Sequence, residues 1–90
     1  MSGNRYGVVF KKSALKELQA LPERIQRKIL DAVHLLSINP YTEILQIKKM
    51  KGADSLYRVR IQDYRVIFYI ESQFIKISII KIGHRKDIYA

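Results

Sequence analysis

Arg58, Arg60 and Arg65 bracket the dipeptide Gln62-Asp63 in a stretch where apolar and polar residues alternate. Leu56 to Ile61 and Tyr64 to Glu71 have the β-branched and aromatic content of strands, and a two-residue gap between such runs is the spacing of a tight hairpin. With Gln62 and Asp63 as the turn, Ile61 faces Tyr64, Arg60 faces Arg65, Val59 faces Val66 and Tyr57 faces Phe68. Strand side chains alternate, so Tyr57, Val59, Ile61, Tyr64, Val66 and Phe68 share one apolar face, and Arg58, Arg60 and Arg65 share the other with Ile67 and Tyr69. Like charges directly opposed across an antiparallel pair repel, at a cost of a few tenths to about 1 kcal/mol. A bound anion offsets that repulsion. A phosphodiester suits the face because guanidinium presents a fixed fork of donors to phosphate oxygens. An acidic protein segment meets the same charge, and a solvated sheet face carries the same alternation with no ligand at all.

A second cluster follows the last β-rich run. Lys81-Ile82-Gly83-His84-Arg85-Lys86-Asp87-Ile88-Tyr89 gathers an imidazole, a guanidinium, an ammonium and a phenol at a strand exit. The alternative is a frayed basic tail anchored by a tyrosine. Lys48, Lys49 and Lys51 stand just ahead of the strands, either as phosphate contacts or as a solvated face.

The remaining elements must hold these groups in place. Tyr6 to Phe10 reads as a first strand, Ser13 as the cap of a helix over Ala14 to Ala20, and Leu15, Leu18 and Leu21 as its apolar stripe. Pro22 suits the first turn of a second helix, with Glu23 at the positive end of its dipole. Ile25, Ile29, Val33 and Leu36 keep helical spacing until Asn39-Pro40 ends it. His34 falls one step off that stripe and reads as a partly exposed helix histidine without chemistry. Ile44 to Lys51 reads as a loop or a short strand. Phe74 to Ile82 forms a third strand, joined to the second across Ser72-Gln73, and its apolar residues on both faces place it centrally in the sheet. The expected fold is α+β: an N-terminal strand and a helical hairpin packed on a small, mostly antiparallel sheet.

Ninety residues support one hydrophobic core, so residues 1–90 read as a single domain. No cysteine is present, which excludes disulfides and thiolate metal sites and is compatible with a reducing compartment. No metal or cofactor is expected. No apolar run approaches the roughly 20 residues of a membrane span, and Met1-Ser2-Gly3-Asn4-Arg5 has no apolar signal core, so the chain reads as soluble and cytoplasmic with no membrane partner. The formal charge of +9 calls for a polyanionic or acidic partner.

Leu56-Tyr57-Arg58-Val59-Arg60, then Asp63-Tyr64-Arg65-Val66-Ile67-Phe68-Tyr69, then Gly83-His84-Arg85-Lys86-Asp87-Ile88-Tyr89 together resemble the RelE/ParE toxin superfamily. Ala14-Leu15-Lys16-Glu17-Leu18 and the Lys51-Gly52 step fit the same pattern, so the resemblance spans nearly the whole chain. It implies the toxin of a type II toxin–antitoxin pair: an mRNA interferase that inhibits translation by cutting the message in the ribosomal decoding site. On this resemblance the family's basic strand residues match Arg58 and Arg60, and its tyrosine-following arginine matches Arg65. The arginine after the glycine step matches Arg85, the terminal tyrosine Tyr89, and the cation before the strand glycine Lys51. Two positions depart. Some members carry lysine where this chain has Arg60, and arginine is a poor general base because it stays protonated. The spacing from Arg85 to Tyr89 is also shorter than in some of the family's nucleases.

Metal-independent RNA cleavage takes the 2′-hydroxyl as nucleophile, which only RNA supplies. Arg60 and Arg65 are the candidate stabilisers of developing phosphorane charge. Arg85 is the candidate phosphate or leaving-group contact, and Tyr89 the candidate base-stacking group. His84 is the candidate proton carrier, because imidazole exchanges protons near neutral pH, although strand alternation can equally turn it away. Lys48, Lys49, Lys51, Arg58 and Lys86 complete the candidate RNA contacts. The implied partners are mRNA, the ribosome and a RelB-like antitoxin whose acidic segment covers the basic face in a heteromeric complex. Two alternatives stay open: a ParE-type inhibitor of DNA gyrase without nuclease activity, and a non-catalytic nucleic-acid-binding module.

Overall fold

Helical spacing of Ile25, Ile29, Val33 and Leu36 becomes α2 (Glu23–Ile38), and all four side chains are buried. The computed structural model describes residues 5–52 and 54–87. Before α2 come β1 (Gly7–Phe10) and α1 (Lys12–Gln19); after it come β2 (Gln46–Lys49), β3 (Leu56–Ile61), β4 (Tyr64–Glu71) and β5 (Lys76–His84). The five strands form one sheet in the order β1-β5-β4-β3-β2, with β1 parallel to β5 and every other pair antiparallel. The α+β architecture is the expected one, two helices on a mostly antiparallel sheet. Val59, Val66, Phe68, Ile70, Ile77, Ile79 and Ile82 meet the apolar sides of the two helices in one core. No helix among the described residues is long and apolar enough to cross a membrane.

Several local expectations are corrected. Lys11, not Ser13, occupies the cap of α1, and no side chain caps it. The chain passes directly from strand to helix: the Lys11 N–H donates to the Ile79 carbonyl at 2.8 Å, while the Lys11 carbonyl accepts from the Leu15 N–H at 2.9 Å. The earlier start sets which face is buried. Ala14 and Leu18, one turn apart, enter the core, and Leu15, turned about 100° from Ala14, is 40% exposed. Pro22 is the cap residue of α2 and does not lie within its first turn; its carbonyl accepts from Ile25 and Gln26. His34 is exposed, as its off-stripe position indicates.

The Gln62-Asp63 turn forms in the expected register, but Gln62 takes the left-handed conformation (φ 55°) and Asp63 does not. Between β4 and β5 the chain makes no two-residue turn at Ser72-Gln73. It forms a 3-10 turn (Ser72–Phe74) followed by Ile75 at φ 49°, and β5 starts with Lys76 opposite Glu71. The four-residue connection places the left-handed backbone at Ile75. The displaced Ile75 carbonyl then accepts the Gly7 N–H at 2.9 Å, which starts the β1–β5 pairing.

β5 also contains a bulge. Phe68 faces Ile79 and Ile67 faces Lys81, leaving Ile80 as an extra residue. The inward positions therefore run Ile77, Ile79 and then Ile82, and everything beyond Ile80 is turned over relative to an unbroken strand.

Candidate functional site

The hairpin places Arg60 opposite Arg65 and Arg58 opposite Ile67. β2 extends this face, because Lys48 pairs with Arg58 and Gln46 with Arg60. The result is a small depression of about 80 Å³ lined by Gln46, Lys48, Arg58, Arg60 and Arg65, with four cationic side chains and no carboxylate. Arg58 and Arg65 are half-buried; Arg60 is exposed, and its Nε donates to the Gln62 carbonyl at 3.0 Å. Ile67, only 6% exposed, lies on this same side of the sheet, outside the main core. Stiff strands thus set the spacing of the cations on the sheet face that the helices do not cover.

β5 borders the depression through Gly83, which stands opposite Arg65 and brings no side chain there. Arg85 follows two residues later. Its N–H donates to the Asp63 carbonyl at 2.8 Å, and its Nε lies 3.8 Å from Asp63 Oδ1. Both side chains are well exposed, so this ion pair contributes at most about 1 kcal/mol. Its effect is to draw Arg85 back to the hairpin turn.

The candidate residues separate into distinct places. Lys48, Arg58, Arg60 and Arg65 share the depression, and Arg85 is fastened to the turn beside it. Lys49 pairs with Tyr57, on the helix-facing side, and Lys51 lies in the turn with Gly52, where a φ of 81° suits glycine. Lys86 is exposed in the final described turn, and Tyr89 lies outside the described residues. His84 is on the face opposite the arginines: the bulge pairs it with Tyr64, and the two rings meet edge to face at 5.3 Å. Its Nδ1 accepts the Lys86 N–H at 3.2 Å, so it helps hold the turn that carries Arg85. Gln46 and Asp63 are further site residues that sequence pattern alone does not mark. The β2–β3 pairing brings in Gln46, and only the path of the chain after β5 reveals the role of Asp63. Among the described residues no cluster of three or more metal-ligating side chains occurs.

Two helices over a five-stranded sheet whose open face carries a cationic depression define the small toxin class of the RelE/ParE superfamily. The family described as the ParE toxin of the type II toxin-antitoxin system, parDE, matches residues 8–89, and the chain belongs to it. It is 34% identical over 84 residues to Toxin RelE3 of Methanocaldococcus jannaschii, a match covering 91% of this chain and 93% of that relative. A chain in the archaeal RelE–RelB complex of Pyrococcus horikoshii superposes with a TM-score of 0.81 at 32% identity, over 92% of this chain and 98% of that one. The RelE toxin of Escherichia coli, solved in isolation, shares the fold: TM-score 0.77 and 20% identity, covering 93% of this chain and 90% of that one.

Proposed function

We propose that this toxin is a ribosome-dependent endoribonuclease that cuts mRNA by attack of the RNA 2′-hydroxyl on the adjacent phosphorus, without a metal. The observation that carries this reading is the cationic depression, in which Arg60 and Arg65 oppose each other and Lys48 and Arg58 flank them. Protein folding alone gives no gain from such opposition, whereas a pentacoordinate phosphorane, with its added negative charge, does. Arg60 and Arg65 stabilise that charge, Lys48 and Arg58 hold neighbouring phosphates, and Arg85 meets the leaving-group side from the hairpin turn. Tyr89 stacks on a base, and Lys49, Lys51 and Lys86 contact the wider phosphate track. His84 supports the Arg85 turn from the other face, so the proton of the 2′-hydroxyl passes to water as the P–O2′ bond forms, and the P–O5′ bond breaks to leave a 2′,3′-cyclic phosphate and a 5′-hydroxyl protonated by water. Cytoplasmic action on ribosomes follows from this substrate.

The natural inhibitor is a RelB-like antitoxin whose acidic segment covers the depression in a heteromeric complex. The +9 charge and the likeness to toxin chains solved with RelB support that partner.

A second reading has a specific support, since the matching family is described as a ParE toxin. On it the same face grips DNA gyrase and cuts nothing. Translation of a defined message with the purified chain, mapping new 5′ ends with and without ribosomes, separates the two when run beside a gyrase supercoiling assay. Ribosome-dependent ends establish the nuclease; intact message with inhibited gyrase establishes the second reading. For single-stranded RNA, Lys48→Ala lowers the slope of log affinity against log salt by about 0.7, the value of one phosphate contact. An unchanged slope would remove Lys48 from the phosphate track.

A further inference from the structure

We propose that Glu17, on α1, is a positioning residue for the basic site: it locks the β5 bulge that carries Gly83 and Arg85 to the arginine face. The proposal rests on the nuclease reading for its catalytic consequence, although its structural half stands apart from it. β1 pairs with β5 only from Lys76 to Ile79, so beyond that point β5 has β4 as its strand neighbour on one side and α1 near the other. The bulge falls at this change, and just past it the Ile82 N–H donates to Glu17 Oε1 at 3.0 Å in half-buried surroundings. A carboxylate accepting a backbone N–H makes a charge-assisted bond, stronger than a neutral one. Its anchor is fixed, since the next residue, Leu18, is 3% exposed within the core.

The bond selects between two registers. Were β5 to continue without the extra residue, Lys81 would face Val66 on the helix side, and Ile82 would stand beside Arg65. With the bulge, Ile82 enters the core, Gly83 leaves the flank of Arg65 open, and the Arg85 N–H reaches the Asp63 carbonyl. Glu17 touches no part of the depression. It acts through Ile82, Gly83 and Arg85.

Glu17→Ala and Glu17→Gln in the full chain test this, because the glutamine amide oxygen still accepts the Ile82 N–H. In Glu17→Ala, hydrogen exchange at the Ile82 and Arg85 amides accelerates about tenfold or more, as expected for loss of a bond to a charged group. In the ribosome assay kcat falls by a similar factor while KM for the ribosome-bound message holds, and Glu17→Gln restores both readouts. Exchange that quickens at Ile82 alone, or an unaltered kcat in Glu17→Ala, overturns the proposal. If the alanine variant does not fold, Glu17→Asp, whose carboxylate falls one methylene short, gives the same comparison. If the wild-type chain makes no cuts, the nuclease reading fails by itself, and Arg85 exchange alone then decides whether Glu17 positions this segment.

Discussion

On the nuclease reading, Arg65→Ala is expected to lower cleavage of ribosome-bound message by about 100- to 1,000-fold, the usual loss when one preoriented stabiliser of transition-state charge is removed. Arg65 faces Arg60 across the hairpin, and Gly83 on its other flank leaves a phosphate room to approach. The fold survives the change, because Arg65 lies on the sheet face away from the helix-covered core. Single-turnover cleavage rates measured beside thermal unfolding separate the two effects. Arg65→Lys falls between wild type and alanine, since it keeps the charge and loses the two-pronged geometry. A folded Arg65→Ala protein that cuts at the wild-type rate would take Arg65 out of the mechanism. A slow variant with an unchanged fold fixes the arginine face as the catalytic one.

The largest stability effect is expected at Phe68. Its side chain is fully buried in β4, the middle strand of the sheet, and its ring stacks on Tyr57 with centroids 6.0 Å apart. Phe68→Ala removes that ring and leaves a cavity, at a cost of about 3–5 kcal/mol. Domains of this kind have only about 5–15 kcal/mol in total, so the variant loses about a fifth or more of its stability. Urea unfolding gives the difference directly from the shift in midpoint. Phe74→Ala is the matched control: Phe74 is 68% exposed in the turn before β5, and its removal changes stability by no more than about 0.5 kcal/mol. Equal midpoints for the two variants would contradict the assignment of Phe68 to the core.

The β3–β4 hairpin was legible from sequence because strict alternation on both sides of Gln62-Asp63 leaves one register that segregates apolar from cationic residues. The second helix was legible for a similar reason, with helical periodicity and a proline-bounded end agreeing. β5 was harder. Ile77, Ile79, Ile80 and Ile82 read as a strand buried on both faces, although Lys81 beside Ile82 carries the sign of a change in parity. Without that parity change, alternation alone allows His84 either face of the sheet. Gln46 was missed because β2 is four residues long and lacks an alternating pattern of its own. The parallel partner of β1 could not be read at all, since nothing local in Tyr6 to Phe10 encodes a neighbour so distant in sequence.

That distant pairing also governs when the toxin becomes whole during its synthesis. Gly7 to Phe10 find their strand neighbour only in Lys76 to Ile79, and Gly83 and Arg85 emerge later still. Contacts of such long sequence separation form slowly, because the intervening chain must be closed first. A ribosome translating this message therefore carries an incomplete sheet until Lys76 to Ile79 have left it. On the nuclease reading, the nascent toxin is unarmed against the ribosome that makes it, and the delay gives an antitoxin segment time to meet the basic face as it forms.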